Sequence, residues 1–266
     1  KPPVDEDEDE DENNENDTEI RMLQAQVVKA YRYSISEISV SCIITTDSLH
    51  ELSRVLTSLD IVSQHKVWQV RLAAAHFLRS FQGNHKFLFT TSQTRKTTRI
   101  VARLLADERR EVSAAAMAAL TGILAASPLS TVSSLVEKYR KKANNSVIKM
   151  KQKKNGAGIE TEEESDLIQK EKERAAKQQT SVYFLCAAVL SRPYDTPLYV
   201  PVALTALSKH SYERSAPYAV REAVKMCCAE YKRTHRSDNW ELHRKQFTPE
   251  QLEALEDVVS TPHYYA

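Results

Sequence analysis

Apolar residues recur every three or four positions through most of the chain, which is the spacing of one face of an α-helix. The first such stretch places its apolar residues at Leu49, Leu52, Val55, Leu56, Leu59 and Val62. Further helices are predicted at residues 67–81, 99–106, 110–125, 182–190, 202–207 and 218–231. The pattern therefore predicts an all-α chain built from consecutive helices.

The second helix of successive pairs carries a related sequence. Residues 70–75 read VRLAAA, residues 112–117 read VSAAAM, and residues 220–225 read VREAVK. The first two begin 42 residues apart, within the ~40–47-residue period of HEAT-type helix pairs. The valine is expected in the core between helices, while Arg71 can reach polar groups between repeats. An unrelated helical bundle is the alternative, but the spaced matches favour a HEAT/armadillo-like α-solenoid.

Charged residues divide this array into segments. Lys plus Arg number 37 and Asp plus Glu number 36, yet residues 1–19 hold eleven acidic residues and one lysine. Such a segment has too little apolar surface to bury, so it is predicted to be disordered. A second charged stretch at 143–165 contains two of the four glycines and is predicted to be a disordered insertion. The predicted helix pairs occupy residues 20–142 and 166–261, and residues 262–266 form a tail.

Composition and motifs argue against several classes of function. Four glycines in 266 residues leave no Gly-rich phosphate-binding loop. The spacing of Cys42, Cys186, Cys227 and Cys228 fits neither a metal site nor a redox motif, so buried free thiols are predicted. No histidine lies in a catalytic signature, and neither an enzyme active site nor a metal site is predicted. The apolar run 112–126 is shorter than the ~20 residues of a membrane span, and no membrane or direct nucleic-acid partner is expected.

The last thirty-five residues hold the most specific motifs. Thr248, Pro249 and Gln251 predict a helix start, because Thr248 can act as N-cap and Gln251 completes a capping box. Trp240 is predicted to dock the preceding corner into the core with its large apolar area. The chain then ends in Tyr264, Tyr265 and Ala266.

This region resembles the family of large single-chain HEAT-repeat proteasome activators, that of proteasome activator complex subunit 4 and its fungal bleomycin-sensitivity relatives. The residues that carry the resemblance are 191–195, Pro197, 232–235, 238–240, His243, 246–248, 251–252 and 264–266. The resemblance covers residues 49–266 and is sharpest after Val182. Because no Met opens the chain, a carboxy-terminal piece of a longer array is expected.

The resemblance implies an ATP-independent proteasome activator that is not itself an enzyme. Its implied partner is the α ring of the 20S core particle, in the nucleus and the cytoplasm, and its implied roles include DNA repair and proteasome assembly. Tyr264, Tyr265 and Ala266 match the family's hydrophobic-Tyr-any motif, which inserts between α subunits and promotes gate opening. The alternative is a general HEAT scaffold, such as a transport receptor or a cytoskeletal array, in which the tail has no role.

The resemblance also implies two further ligands. Acetyl-lysine recognition, with acetylated histones as partners, needs an Asn amide beside an aromatic side chain. The pair at the corresponding place is Ser127 and Pro128, and these residues supply neither group. No cofactor is required, and inositol phosphate is implied as a bound ligand without a site that the sequence assigns.

Overall fold

The computed structural model of the chain describes residues 21–27, 29–30, 49–85, 88–153, 162–213, 216–237 and 239–259. It divides into two compact units, Lys1–Ile43 and Ile44–Ala266. The described residues of the first unit are helical, with Met22, Leu23 and Val27 exposed. The acidic segment predicted at 1–19 lies outside the described residues. Within the described ranges, no helix combines the length and the apolar content that crossing a membrane needs.

The second unit is built from helices, and its described residues contain no strand. The helices are α1 (Leu49–Val62), α2 (Trp68–His85), α3 (Thr91–Leu104), α4 (Arg110–Ala125), α5 (Leu129–Lys153), α6 (Glu162–Leu190), α7 (Tyr199–Ser211), α8 (Tyr218–Ser237), α9 (Trp240–Arg244) and α10 (Pro249–Val259).

Consecutive helices pack as pairs, α1 with α2, α3 with α4, α5 with α6, and α7 with α8. The second helices also contact one another in the order α2, α4, α6, α8. Among the first helices, α1 contacts α3 and α5 contacts α7. At the carboxy-terminal end, α10 packs on α7 and α8. This stacking of each pair on the next confirms the predicted all-α solenoid.

Two of the three repeated valines and Arg71 have the roles that the sequence predicts. Val112 and Val220 are fully buried in the core between helices, as is Val182, whereas Val70 is half-buried. Arg71 on α2 donates to both carboxylate oxygens of Asp107, with Nε 2.5 Å from Oδ2 and Nη2 2.9 Å from Oδ1. Because Asp107 precedes α4 of the next pair, this ion pair joins two repeats.

Two helices begin at least eight residues earlier than the apolar pattern predicts. Helix α3 starts at Thr91 rather than at 99, because Thr90 and Gln93 form a capping box and the buried Thr97 hydroxyl donates to the Gln93 carbonyl at 2.9 Å. Helix α6 starts at Glu162 rather than at 182. Its first half is charged and carries no apolar period, so hydrophobic spacing alone misses it.

The boundary predicted at residue 142 also differs from the structure. Helix α5 continues through it to Lys153, and α6 begins at Glu162, inside the predicted insertion. Ala143 is fully buried and continues the buried face formed by Val132, Val136 and Tyr139. The apolar stripe is narrow and many lysines lie beside it, so composition alone indicates a charged, disordered segment. Residues 154–161 of the predicted insertion lie outside the described residues.

His210, on α7, is a histidine held in a fully buried position. Its Nδ1 lies 3.2 Å from Nε2 of the buried Gln178 on α6, so the two helices share a polar contact in the core. Burial lowers the pKa of His210 to about 4. The imidazole is therefore neutral at physiological pH.

The low pKa of His210 predicts a loss of stability in acid. As pH falls below about 6.5, the unfolded chain binds a proton at this site while the folded chain does not until about pH 4. The free energy of unfolding should therefore fall by about 1.4 kcal/mol per pH unit across that window. Urea denaturation at several pH values measures it. His210→Gln should flatten the slope, and equal slopes in the unchanged and His210→Gln proteins would contradict the prediction.

Candidate functional site

A buried polar corner lies where the loop after α6 meets the ends of α8 and α9. Thr196, in the loop, places its hydroxyl oxygen 2.7 Å from the Tyr231 hydroxyl and 2.9 Å from His243 Nδ1. Burial raises the pKa of Tyr231 to about 12, so its phenol keeps its proton. The Thr196 hydroxyl lies within hydrogen-bond distance of both groups and is the partner that Tyr231 and His243 share.

His235 adds a second link between α8 and the same loop. Its Nε2 lies 3.2 Å from the carbonyl oxygen of Asp195, and its Nδ1 lies 2.8 Å from the carbonyl oxygen of Tyr231. The His235 ring stacks on the Tyr231 ring at 3.9 Å and meets the His243 ring edge-on at 4.5 Å. His235 and His243 are both buried. These contacts define the corner cluster: Asp195, Thr196, Tyr231, His235 and His243.

Aromatic packing and a capping box fix the start of α10 beside the corner cluster. Phe247 is buried between the rings of Tyr231 and Trp240, with centroid distances of 6.2 Å and 6.3 Å. Immediately after it, the Thr248 N–H donates to Gln251 Oε1 at 2.9 Å and the Gln251 N–H donates to Thr248 Oγ1 at 3.4 Å. The predicted capping box and the predicted docking of Trp240 are confirmed.

Helix α10 is also held along its length. Leu255 and Val258 are buried, and the Tyr212 hydroxyl, after α7, donates to the Asp257 carbonyl. These contacts therefore hold the end of α10, at Val259, in a defined place beside α7 and α8. Residues 260–266, including the predicted docking residues Tyr264, Tyr265 and Ala266, lie outside the described residues.

The corner cluster predicts a specific loss of stability. Thr196→Val keeps the shape of the side chain but removes the partner that Tyr231 and His243 share, which should lower the free energy of unfolding by about 2 kcal/mol. Chemical denaturation measures this change. The matched control is Thr205→Val on α7, where the hydroxyl donates within its own helix to the Pro201 carbonyl at 2.9 Å. A loss at Thr196 no larger than that at Thr205 would contradict the role given to the cluster.

Ser127 and Pro128, the pair at the place implied for acetyl-lysine recognition, lie between α4 and α5. The Ser127 hydroxyl donates to the Ile123 carbonyl at 2.8 Å. The Ser127 carbonyl accepts from Arg192 Nη2 at 3.2 Å, in the loop that also holds Thr196. The polar groups of Ser127 thus serve local structure, and the pair offers neither an amide donor nor an aromatic wall.

The cysteine side chains are placed as predicted where the structure describes them. Cys186, Cys227 and Cys228 are buried free thiols. A hydrogen bond with Cys186 and burial raise the pKa of Cys227, and burial raises that of Cys228. Both groups are therefore protonated thiols, a poor form for nucleophilic attack. Cys42 lies outside the described residues, and in the described part no three His, Cys, Asp or Glu side chains converge as a metal site.

Sequence patterns found part of the corner and missed part of it. His235, Trp240, His243 and Phe247 belong to the segments that carry the family resemblance, and the structure brings them together with Asp195. Sequence reasoning assigned no role to Thr196 and placed Tyr231 only in a helix. Thr196 lies between Asp195 and Pro197 of the resembling loop, and that position is the one signal that could have indicated it.

The fold and the corner together define a class, a helical-repeat protein whose last helix is fixed in a polar and aromatic corner. Residues 175–266 match the family described as proteasome activator complex subunit 4-like, C-terminal. This match contains the whole corner cluster. It bears out the predicted resemblance to the family of proteasome activator complex subunit 4 and to that family's carboxy-terminal portion.

Curated relatives agree with this match. The chain is 29% identical over 218 residues to proteasome activator complex subunit 4A of Danio rerio, covering 81% of the chain. It is 29% identical over 219 residues to proteasome activator complex subunit 4 of Homo sapiens, and 29% identical over 199 residues to proteasome activator subunit 4 of Arabidopsis thaliana, covering 82% and 75% of the chain. The chain spans 10–11% of the length of these relatives.

Proposed function

We propose that this chain is part of an ATP-independent proteasome activator, and that its tail binds the 20S core particle. In this proposal Tyr264, Tyr265 and Ala266 insert between neighbouring α subunits and promote opening of the gate. The match of residues 175–266 to the activator family is the observation that carries the proposal.

The chemistry of the tail explains why it must be terminal. The Ala266 carboxylate pairs with a lysine of the pocket, a charge-assisted contact of about 1.5–3 kcal/mol. Tyr265 places its ring in the slot and gives its hydroxyl a polar partner, while Tyr264 supplies the hydrophobic position. Three residues bind weakly by themselves, so wider contacts of the solenoid must hold them near the pocket at high effective concentration.

The corner cluster has a defined part in this proposal. It fixes the start of α10 through Phe247 and the Thr248 capping box, and burial of Leu255 and Val258 fixes the rest of the helix. The tail then leaves from one place, with residues 260–263 between α10 and the inserting residues 264–266. A short tether from a fixed anchor raises the effective concentration of the tail at the pocket.

Retention of the core particle tests the proposal against the general HEAT scaffold. The full-length protein is immobilised and incubated with purified 20S core particle, in three forms: unchanged, lacking residues 264–266, and carrying Glu253→Gln on the exposed side of α10. We expect the unchanged and Glu253→Gln proteins to retain the core particle and the truncated protein to retain less. No retention by the unchanged protein would overturn the proposal and favour a scaffold such as a transport receptor.

We propose a positively charged groove as the binding surface for the inositol phosphate that the family resemblance implies. A groove of about 710 Å³ between α3, α5 and α6 is lined by five cationic side chains, one acidic side chain and several hydroxyls. The cations are Arg103, Lys142, Lys170, Arg174 and Lys177, and the acid is Glu173, whose Oε2 lies 3.6 Å from Lys177 Nζ. The groove has a net positive charge suited to several phosphate groups.

Inositol hexakisphosphate is the probe for this groove, with binding followed by calorimetry. Arg174→Glu and Lys142→Glu should each weaken binding at least tenfold. Lys138→Glu changes the same charge at an exposed position of α5 outside the groove lining, and should have a much smaller effect. Equal weakening by all three changes would indicate attraction to net charge alone and would remove the groove from the proposal.

A further inference from the structure

A second groove lies on the face formed by the second helices of successive pairs. It has a volume of about 550 Å³, with α4 and α8 as its walls and α6 as its floor. Tyr183 and Leu190 belong to the floor, and Tyr183 is buried. Met226 on α8 belongs to a wall and is 65% exposed. The groove thus joins a buried apolar floor to an exposed apolar edge.

The walls show why the groove is open. Ala114 on α4 and Ala219 and Ala223 on α8 line it, and such small side chains leave space above α6. Packed helix axes lie about 8–10 Å apart, so two walls on opposite sides of one floor helix leave a trough about as wide as one more helix. Two thioether side chains, Met117 and Met226, lie in the lining. Flexible methionines adapt to an apolar partner, as in surfaces that bind helices.

The charges at the two ends of the groove differ. Arg233 and Glu230 on α8 neutralise each other, with Nη2 2.6 Å from Oε1 and Nε 2.9 Å from Oε2. Arg110, at the start of α4, is exposed, and among the described residues no carboxylate lies within ion-pair distance of it. The nearby Glu111 faces Arg109 instead, at 3.9 Å. Within the part of the chain that the structure describes, the groove therefore offers the positive charge of Arg110 beside an apolar surface without an ion-pair partner.

We propose that this groove binds an amphipathic helix of a partner polypeptide, with a carboxylate of that helix placed against Arg110. The lining positions of α4 and α8 follow one another at helical spacing: Arg110, Ser113 and Met117 on α4, and Ala219, Ala223, Met226 and Glu230 on α8. A partner helix of about three turns covers this length. Its apolar side chains at i, i+3 or i+4, and i+7 pack on the floor and the methionines.

The arrangement also sets what the groove should reject. A lysine on the partner helix at the end near Arg110 would meet a like charge beside an apolar surface that excludes water, which is unfavourable. A helix without an apolar stripe would leave Met226 and the floor uncovered and would bind weakly. The specificity is therefore for an acidic amphipathic helix, and it does not depend on binding to the proteasome.

Two labelled synthetic helices test the proposal against the full-length protein by fluorescence anisotropy. Each has four turns, a leucine stripe and one charged residue at each end of that stripe, glutamate in one peptide and lysine in the other. We expect the glutamate peptide to bind at least tenfold more tightly. Arg110→Glu should reverse this preference, and Met226→Glu should weaken both peptides at least tenfold.

Arg79→Glu, at an exposed position of α2 that does not line the groove, is the matched control and should change neither affinity. Circular dichroism confirms that each variant keeps its helices, as expected for exposed sites. Equal affinity of the two peptides for the unchanged protein would overturn the proposal. So would a preference for the glutamate peptide that survives Arg110→Glu.

Discussion

Deletion of Ala266 from the full-length protein is expected to remove most of its stimulation of the 20S core particle. The deletion moves the terminal carboxylate back by about 3.5 Å, the length of one extended residue, and shifts Tyr264 and Tyr265 out of register. Adding one residue after Ala266 should be equally harmful, because the pocket lysine would then face a neutral amide. Hydrolysis of a small fluorogenic peptide by the core particle measures the stimulation.

Substitutions at Tyr265 separate the ring from the hydroxyl. Tyr265→Ala removes both and should reduce stimulation sharply. Tyr265→Phe removes the hydroxyl alone and should cost about 1 kcal/mol of binding, a milder loss. Retention of the core particle should survive in part in every case if the solenoid makes wider contacts. Stimulation that is unchanged by both the deletion and the extension would eliminate the insertion mechanism and leave the scaffold alternative ahead.

Asp107→Ala is expected to destabilise the second unit by about 3 to 4 kcal/mol. The Asp107 side chain is 5% exposed and accepts two hydrogen bonds from Arg71 and one from the Arg109 N–H at 3.0 Å. Removing one partner of a largely buried ion pair leaves the other charge uncompensated, a loss of about 3–5 kcal/mol. Arg71 would keep its hydrogen bonds to the carbonyls of His65 and Lys66, so the expected loss of stability lies in the lower part of this range. Urea denaturation measures it.

The control for Asp107 is an ion pair of similar geometry at the surface. Glu137 accepts from Arg140 through two contacts of 2.7 Å on α5, but both side chains are partly exposed. Glu137→Ala should therefore cost much less stability than Asp107→Ala, because solvent screens the exposed pair. Asp107→Asn, which keeps an acceptor for Arg71, should fall between the two. A loss at Asp107 no greater than at Glu137 would mean that the inter-repeat ion pair does not hold the pairs together.

The candidate site shows which long-range contacts sequence patterns can and cannot indicate. Local motifs identified the capping box of Thr248 and Gln251 and the docking role of Trp240, because each involves neighbours along the chain or the size of one side chain. The bonds of Thr196 to Tyr231 and His243 join residues 35 and 47 positions apart. No periodic pattern in the sequence indicates such a pairing, because it depends on how the loop after α6 folds against α8 and α9.

The helices likewise divide into those that the apolar pattern predicts and those that it misses in whole or in part. The apolar period found α1, α4 and most of α8, whose buried faces are built from aliphatic side chains. It missed the first turns of α3 and predicted no helix over α5. In these two stretches Thr97 and Ser146 are buried, and their hydroxyls donate to carbonyls of their own helices at 2.9 Å. Serine and threonine count as polar residues in a sequence pattern. When the hydroxyl donates to a carbonyl of its own helix, the side chain can be buried with the apolar residues of the packed face.

The sequence by itself determined the all-α class, the pairing of helices at a HEAT-like period, the inter-repeat role of Arg71 and the start of the last helix. These features depend on residues at fixed short spacings, so a linear pattern contains them. Only the tertiary structure decided the partner of Arg71, the corner cluster and the groove over α6. Each of these arises where helices distant in sequence are brought side by side, because hydrogen bonds and cavities depend on distances in space that the order of residues does not record.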